Sequence, residues 1–355
     1  MLPAKWSLAA LLPAAAAAFA RAAVPALPDD PPRRYQDTVS AERVVVDVHA
    51  IDNAGEPVLG LSAGDFTLRV DGKPVPIESV EWIAGSSSSP AAPAPQAAAE
   101  TAPESAPAAP APGRVIVLFF QTDYDFTRIT GQMRMIRQAL AFLETCSPED
   151  RLAVLSFDSR LKLRQDFTTD REKLRHAIVR TLYTDRTIDP APGPQPSLAA
   201  SIDFSAARHA TLPEHALGVI GQGLGAIPGS KSLLYFGWGL GNFDPVMGLI
   251  LDHNYARARA ALVRSHTSVF VLDVTTADFH SMQGGLEAIA DDTGGFYVKT
   301  HVFPKLAMQK VARAISGYYI LTFARPTLGR GRHAMSIRLA GRRQISVLAR
   351  PDYED

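Results

Sequence analysis

The 355-residue chain carries 36 Lys and Arg against 36 Asp and Glu, a formal net charge of zero. That balance offers no basic face for the phosphates of a nucleic acid, and no base-reading motif appears. The length suffices for a large core and more than one domain, while a single cysteine, Cys146, excludes an intramolecular disulfide and any multi-cysteine metal site.

The N-terminus has the layout of an export signal. Lys5 supplies a positive start and Leu8 to Phe19 an Ala- and Leu-rich core too short for a membrane span. Ala18-Phe19-Ala20 or Arg21-Ala22-Ala23 suits a signal peptidase. Residues 1–23 therefore read as a signal peptide, removed after Ala20 or Ala23. The product reads as an exported protein of the periplasm or the extracellular space, with no membrane span after cleavage. An uncleaved anchor is the alternative. Residues 24–40, Pro-rich and polar, read as a flexible stalk.

Residues 41–84 read as a β segment. Val44 to Ala50 is strand-like, Asp52-Asn53-Ala54-Gly55 a turn, and Phe66 to Val70 alternates apolar and polar residues with period two. Asp71-Gly72 is a two-residue hairpin signal, which makes Val75 to Trp82 the returning strand. Residues 85–113 are rich in Ala, Pro and Ser. They hold too few large apolar groups to offset their ordering entropy, and read as a disordered linker.

Residues 114–316 alternate strands and helices. Val115 to Phe120 is a buried strand, and Ile129, Met133, Ile136, Leu140 and Leu143 then fall on one helical face, ended by Ser147-Pro148. Leu152 to Phe157 is the next strand, and Asp170 caps a helix carrying Leu174, Ile178 and Leu182. A Pro- and Gly-rich loop runs from Asp185 to Ser197. Helices near Glu214 to Ala226 and Tyr255 to Ser265 alternate with strands Ser232 to Phe236 and Ser268 to Val274. A short helix Leu286 to Asp291, a short strand Phe296 to Val298 and a helix Pro304 to Ile315 complete the region. This order predicts an α/β, Rossmann-like domain: a mainly parallel sheet with helices on both faces. Residues 317–355 return to β character at Tyr318 to Phe323, His333 to Arg338 and Gln344 to Leu348. Neither terminal segment makes a core alone, so residues 317–355 are expected to pair with 41–84 in a small β-sandwich, with the α/β domain inserted between them.

In an open α/β sheet, ligands bind beyond the carboxyl ends of the strands. Here that edge starts at Gln121-Thr122-Asp123-Tyr124-Asp125. As loop residues Asp123 and Asp125 are solvated, with Asp125 capping the following helix. As paired catalytic carboxylates they lack a complementary acid, base or pocket. Gly229-Ser230-Lys231-Ser232 precedes a strand, so it reads as a structural turn and not a phosphate loop. Gly237-Trp238-Gly239-Leu240-Gly241 follows a strand, but its third glycine is misplaced for a dinucleotide fingerprint. The histidines show no zinc spacing, and no Gly-x-Ser-x-Gly elbow appears. Asp273, ending the fifth strand of the region, is a remote supporting residue at best. Tyr124, Phe126, Trp238 and Phe243 would share one edge if the first and fourth strands are neighbours, either exposed to a protein partner or packed beneath the loops.

Several segments together resemble the von Willebrand factor A-related proteins of the acidobacterial type. They are Val58-Leu59-Gly60-Leu61 with Asp65-Phe66 and Asp71-Gly72-Lys73, Ser147 to Val154, Asp166 to Asp170, Pro228 to Leu234, Ala290-Asp291-Asp292-Thr293-Gly294-Gly295, and Gly317 to Leu321. The resemblance implies an A domain that binds proteins, often through a divalent metal held by Asp-x-Ser-x-Ser, a distant Thr and a further Asp. Mg²⁺ favours such hard oxygen ligands. This chain departs from that motif. Gln121, or Phe120, stands at the leading Asp, Asp123 and Asp125 fall at the two Ser positions, and no carboxylate follows the fourth strand at Gly237-Trp238. Two readings stay open: no cofactor and a lost site, or an altered Mg²⁺ or Mn²⁺ site on Asp123 and Asp125. The combined expectation is a non-enzymatic, exported protein-interaction module. It would bind a protein partner through Gln121, Asp123, Tyr124, Asp125, Phe126, Trp238 and Phe243. The rivals are an envelope component with an inert sheet edge and an enzyme of unrecognised type.

Overall fold

The computed structural model describes residues 42–85, 113–122, 125–183, 189–342 and 344–354. The expected signal peptide, the stalk and linker residues 86–112 lie outside the described residues, as do Asp123 and Tyr124.

Arg43–Ile51 forms β1, Phe66–Val70 β2, Lys73–Val75 β3 and Ser79–Ala84 β4. The turn after β1 forms as expected: Asp52 Oδ1 accepts the amides of Ala54 and Glu56, both at 2.8 Å. Asp71 and Gly72 both adopt positive φ, 48° and 77°, which suits the tight turn joining β2 to β3. The single returning strand expected over Val75 to Trp82 is instead two. Pro74 and Pro76 supply no amide to a ladder, so β3 stops at Val75. The chain then crosses to the other sheet, where β4 pairs with a C-terminal strand.

The middle region begins with β5 (Val115–Gln121), α1 (Phe126–Leu143), β6 (Arg151–Phe157), β7 (Leu161–Thr168) and α2 (Arg171–Arg180). Then come α3 (Phe204–His209), α4 (Pro213–Leu224), β8 (Lys231–Gly237), and a hairpin of β9 (Asn242–Asp244) and β10 (Gly248–Ile250). It closes with α5 (His253–Arg264), β11 (Thr267–Asp273), α6 (Gln283–Asp292), β12 (Tyr297–Lys299) and α7 (Pro304–Ala314). Six of these strands form one sheet in the order β12-β11-β8-β5-β6-β7. All neighbours are parallel except β6 and β7, which are antiparallel. Alternate residues of β5 enter two cores: Val117 and Phe119 pack with α4 and α5, and Ile116, Leu118 and Phe120 with α1, α2 and α7. The fold is therefore α/β with a mostly parallel sheet covered on both faces, as expected.

Two recognisable motifs serve this scaffold. The buried Lys231 Nζ donates to Leu224, Ile227 and Ser265 carbonyls at 3.3, 2.5 and 2.6 Å. A cation there completes the exposed carbonyl ends of α4 and α5, which is the structural reading of the Gly-Ser-Lys-Ser segment. In the Ala290 to Gly295 segment, Thr293 Oγ1 donates to the Ile289 carbonyl and accepts the Val269 amide, tying the end of α6 to β11. Gly294 has φ 78°, and Gly295 lies so close to β11 that an added Cβ would sit 1.9 Å from the Val269 carbonyl oxygen. Cys146 is half-buried and donates to the Phe142 carbonyl; burial pushes its thiol up to about 12.

The last strands are β13 (Gly317–Ala324), β14 (Arg332–Leu339), β15 (Ser346–Leu348) and β16 (Asp352–Glu354). With the first four they build two four-stranded sheets, β15-β1-β13-β4 and β16-β14-β2-β3. Strands from both sides of the α/β region thus pair with one another. One core joins the two sheets, including Val46 and Val48 from β1, Phe66 and Leu68 from β2, and Leu321 and Phe323 from β13. Arg259 of α5 reaches across to Asp352 of β16 while also pairing with Asp292 of α6 at 3.0 Å. His49 Nδ1 lies 3.1 Å from the Ala314 carbonyl at the end of α7.

Gly295→Ala is expected to cost about 1–3 kcal/mol or more, because the methyl group must displace the β11 backbone. Urea unfolding of the two proteins measures it; equal midpoints would refute the close-approach role.

Candidate functional site

Gln121 ends β5 at the carboxyl edge of the parallel sheet and is only 1% exposed. Its Oε1 accepts three hydrogen bonds: from the Tyr235 hydroxyl at 2.8 Å, the Trp238 amide at 3.0 Å and the Gly239 amide at 3.3 Å. Its carbonyl accepts from Gln132 Nε2 of α1 at 3.0 Å. Gln121 therefore fastens the end of β5 to the turn after β8 and to the first helix. Its Nε2 is buried without a hydrogen-bond partner among the described residues. Thr122, next along, donates from both its amide and its hydroxyl to the Phe157 carbonyl at the end of β6.

The other expected site residues separate into distinct roles. Asp125 is exposed at the head of α1, and its carbonyl accepts the Arg128 and Ile129 amides at 2.9 and 2.8 Å. Phe126 is the first residue of α1. Trp238 is half-buried, with the Arg128 guanidinium 3.8 Å from its ring centroid. The segments after β5 and β8 do meet, as neighbouring strands require. Phe243 is exposed and sits on the β9–β10 hairpin, which was not legible in the sequence.

That hairpin and two further loops carry an apolar rim. Asp244 Oδ1 accepts the Val246 and Met247 amides at 2.7 and 2.8 Å, which fixes the turn and keeps the carboxyl below the usual carboxylate range. The turn presents Val246, 93% exposed, and Met247. After β11, Phe279 is 83% exposed. After β12, Val302 and Phe303 are exposed in turn. Lys299 Nζ lies 4.3 Å from the Phe279 ring centroid, and His301 Nε2 lies 3.2 Å from Asp278 Oδ1, so the last two loops touch. Met282 and Leu249 pack against Gly239 and Gly284, which joins the hairpin to the α6 start. Sequence reasoning found Phe243 but missed the other five, whose signal is an apolar residue placed in a loop directly after a strand.

Asp273, the last residue of β11, supports this rim from below. Its Oδ2 accepts from His280 Nε2 at 2.9 Å and the Tyr297 hydroxyl at 2.5 Å, and its Oδ1 from the Thr275 amide at 2.9 Å. Burial pushes its carboxyl upward, but these hydrogen bonds outweigh it and hold the group below the usual carboxylate range. The Asp273 carbonyl also accepts from the Thr300 hydroxyl, linking the loops after β11 and β12.

The described residues do not fit a hard divalent cation. Gln121 offers an amide oxygen already engaged by three donors, and Gly237 to Gly241 contribute no carboxylate after β8. No three His, Cys, Asp or Glu groups converge among the described residues. Nor is any helix of the described residues long and apolar enough to cross a membrane.

No family model and no curated protein matches the chain. Among solved structures it is similar to the PilB minor pilin from Streptococcus sanguinis, at 14% identity and TM-score 0.34 over 57% of this chain and 60% of that one. It is similar to the von Willebrand factor type A from Catenulispora acidiphila, at 12% and 0.42 over 87% and 72%. It is also similar to BatB from Bacteroides thetaiotaomicron, at 10% and 0.39 over 57% and 98%. The chain spans less than two thirds of the length of the pilin. At these scores the likenesses carry no argument about activity or partner.

Asp273→Asn should destabilise the protein by about 1.5–3 kcal/mol at neutral pH, the worth of hydrogen bonds to a charged group. Because the folded carboxyl titrates below its unfolded value, this stabilisation is full above about pH 4 and is lost as pH falls through the folded value. The gap between the two proteins in urea unfolding should therefore shrink below about pH 4. A gap independent of pH would contradict the assignment.

Proposed function

We propose that this protein is an exported, non-enzymatic interaction module of the von Willebrand factor A-related type. It engages a protein partner through the carboxyl edge of its parallel sheet, without the usual dication. The observation that carries this reading is the rim formed by Phe243, Val246, Met247, Phe279, Val302 and Phe303 on the segments after β8, β11 and β12. Exposed apolar side chains grouped on one edge, ringed by polar groups, mark protein contacts. The engaged amide of Gln121 supports metal independence, because a partner carboxylate has no cation to complete there. Gln121 then acts from beneath as a support, and the contacts shift from the β5 loop toward the β8–β11–β12 side. Export, to the periplasm or beyond the cell, rests on the signal-peptide reading of residues 1–23.

A photo-crosslinking residue placed at Met247 or Phe279 of the full chain, in the cells that make it, is expected to capture one discrete partner. The same residue at exposed Leu59, on the β segment, should not. Val246→Ser with Phe303→Ser should weaken that partner by about tenfold or more, in line with truncating two interface anchors. Equal capture from Leu59, or no effect of the double variant, would overturn the reading.

A further inference from the structure

Among the described residues, no strand pairs with the outer edge of β1 over Arg43 to Val48. β13 pairs with Arg43 to Val48 on the inner side, but β15 pairs on the outer side only with His49, Ala50 and Ile51. The Val45 carbonyl accepts from Arg350 Nη2 at 2.9 Å, so it points away from β13. By the two-residue alternation of a strand, the backbone groups of Arg43, Val45 and Asp47 all face outward. No described strand lies beyond them. A cavity of about 440 Å³ does, walled by Glu42, Arg43, Val45, Arg350 and Glu354.

Charge in this cavity is unevenly matched. Glu42 is taken by Arg325 at 2.7 Å, and Arg43 by Glu78 at 2.7 Å. Arg350 forms no contact ion pair among the described residues, although Asp47 and Asp352 attract it from farther away. Its nearest carboxylates are engaged elsewhere, Asp47 with His266 and Asp352 with Arg259 and Arg332. Its Nε is buried without a hydrogen-bond partner among the described residues. Burial pulls its guanidinium below the usual arginine range. A guanidinium largely withdrawn from water with no carboxylate in contact is costly, and a bidentate anion is the ligand it fits best.

We propose that this edge binds an extended acidic peptide, which adds to β1 as a strand in line with β15 and sets a carboxylate on Arg350. Main-chain hydrogen bonds to Arg43, the Val45 amide and Asp47 supply affinity, with the Val45 carbonyl kept by Arg350, and the carboxylate fixes register. The open stretch accommodates about five residues at ~3.3 Å each. Glu42 and Glu354 on the walls favour a singly charged carboxylate over a phosphate. This surface is separate from the carboxyl edge of the parallel sheet, so the two can fail independently.

The probe is a fluorescein-labelled pentapeptide of alternating valine and glutamate, read by anisotropy with the full chain. Saturable binding is expected. It should fall about tenfold or more in Arg350→Met, and equally when alternate peptide amides are N-methylated, since each change removes hydrogen bonds the site makes. The N-methylated peptide tests wild-type protein, so a poorly folded variant leaves the outcome decidable. No saturable binding, or equal binding of both peptides, would overturn the proposal. So would saturation by inorganic phosphate without peptide binding, which marks an anion site only. A concentration-dependent dimer in sedimentation that the peptide fails to dissociate would assign the edge to a second copy, and likewise overturn it.

Discussion

The carboxamide of Gln121 stands between the two central strands of the parallel sheet, and one oxygen there accepts from Tyr235, Trp238 and Gly239. Each donor belongs to β8 or the turn after it, so a single buried group sets the path of the chain as it leaves the sheet. That path places Trp238 under Arg128, brings Gly239 against Met282, and launches the β9–β10 hairpin outward. Without the acceptor, two backbone amides and a buried hydroxyl would lose their partner, a cost of about 1–3 kcal/mol per group. A carboxylate at the same place would draw a cation; an amide is neutral and needs none.

The β-sheets at the ends of the described chain give this edge a rigid base. β13 pairs with β1 on one side and β4 on the other, so the strand that leaves α7 is locked to both N-terminal partners. Tyr319, Leu321 and Phe323 of β13 are buried in the shared core. The Arg259–Asp352 and Arg259–Asp292 pairs then fasten that core to α5 and α6. Paired charges at low exposure hold geometry more than they add stability, because desolvation offsets much of their attraction.

Much of this was legible in the sequence because burial on both faces leaves continuous apolar runs. Val115 to Phe120, Leu152 to Phe157 and Ser268 to Val274 all coincide with strands of the main sheet, the last ending one residue earlier at Asp273. Caps were equally readable: Asp170 accepts the Glu172 and Lys173 amides that its position foretold. β7 was not placed, because its charged residues hide a strand at the sheet edge; Lys162 is buried only by pairing with Asp158 at 2.6 Å. The hairpin was missed because strands of three residues carry too little period to register. The returning strand over Val75 to Trp82 was read as one because it follows the Asp71-Gly72 hairpin signal, although the hydrogen-bonding ladder cannot continue through Pro76. The site suffered most. An apolar side chain in a loop reads the same whether it packs inward, as Leu240 does, or stands in solvent, as Val246 does. Only the fold tells those two apart.

Metal independence of the carboxyl edge, as proposed, is tested most directly by thermal unfolding of the full chain in EDTA, Mg²⁺, Mn²⁺ and Ca²⁺. The four midpoints are expected to coincide. A rise with any metal, approaching the about 2.7 kcal/mol that a ligand at ~100 times its dissociation constant confers, would contradict the claim and return Asp123 and Asp125 to a coordinating role.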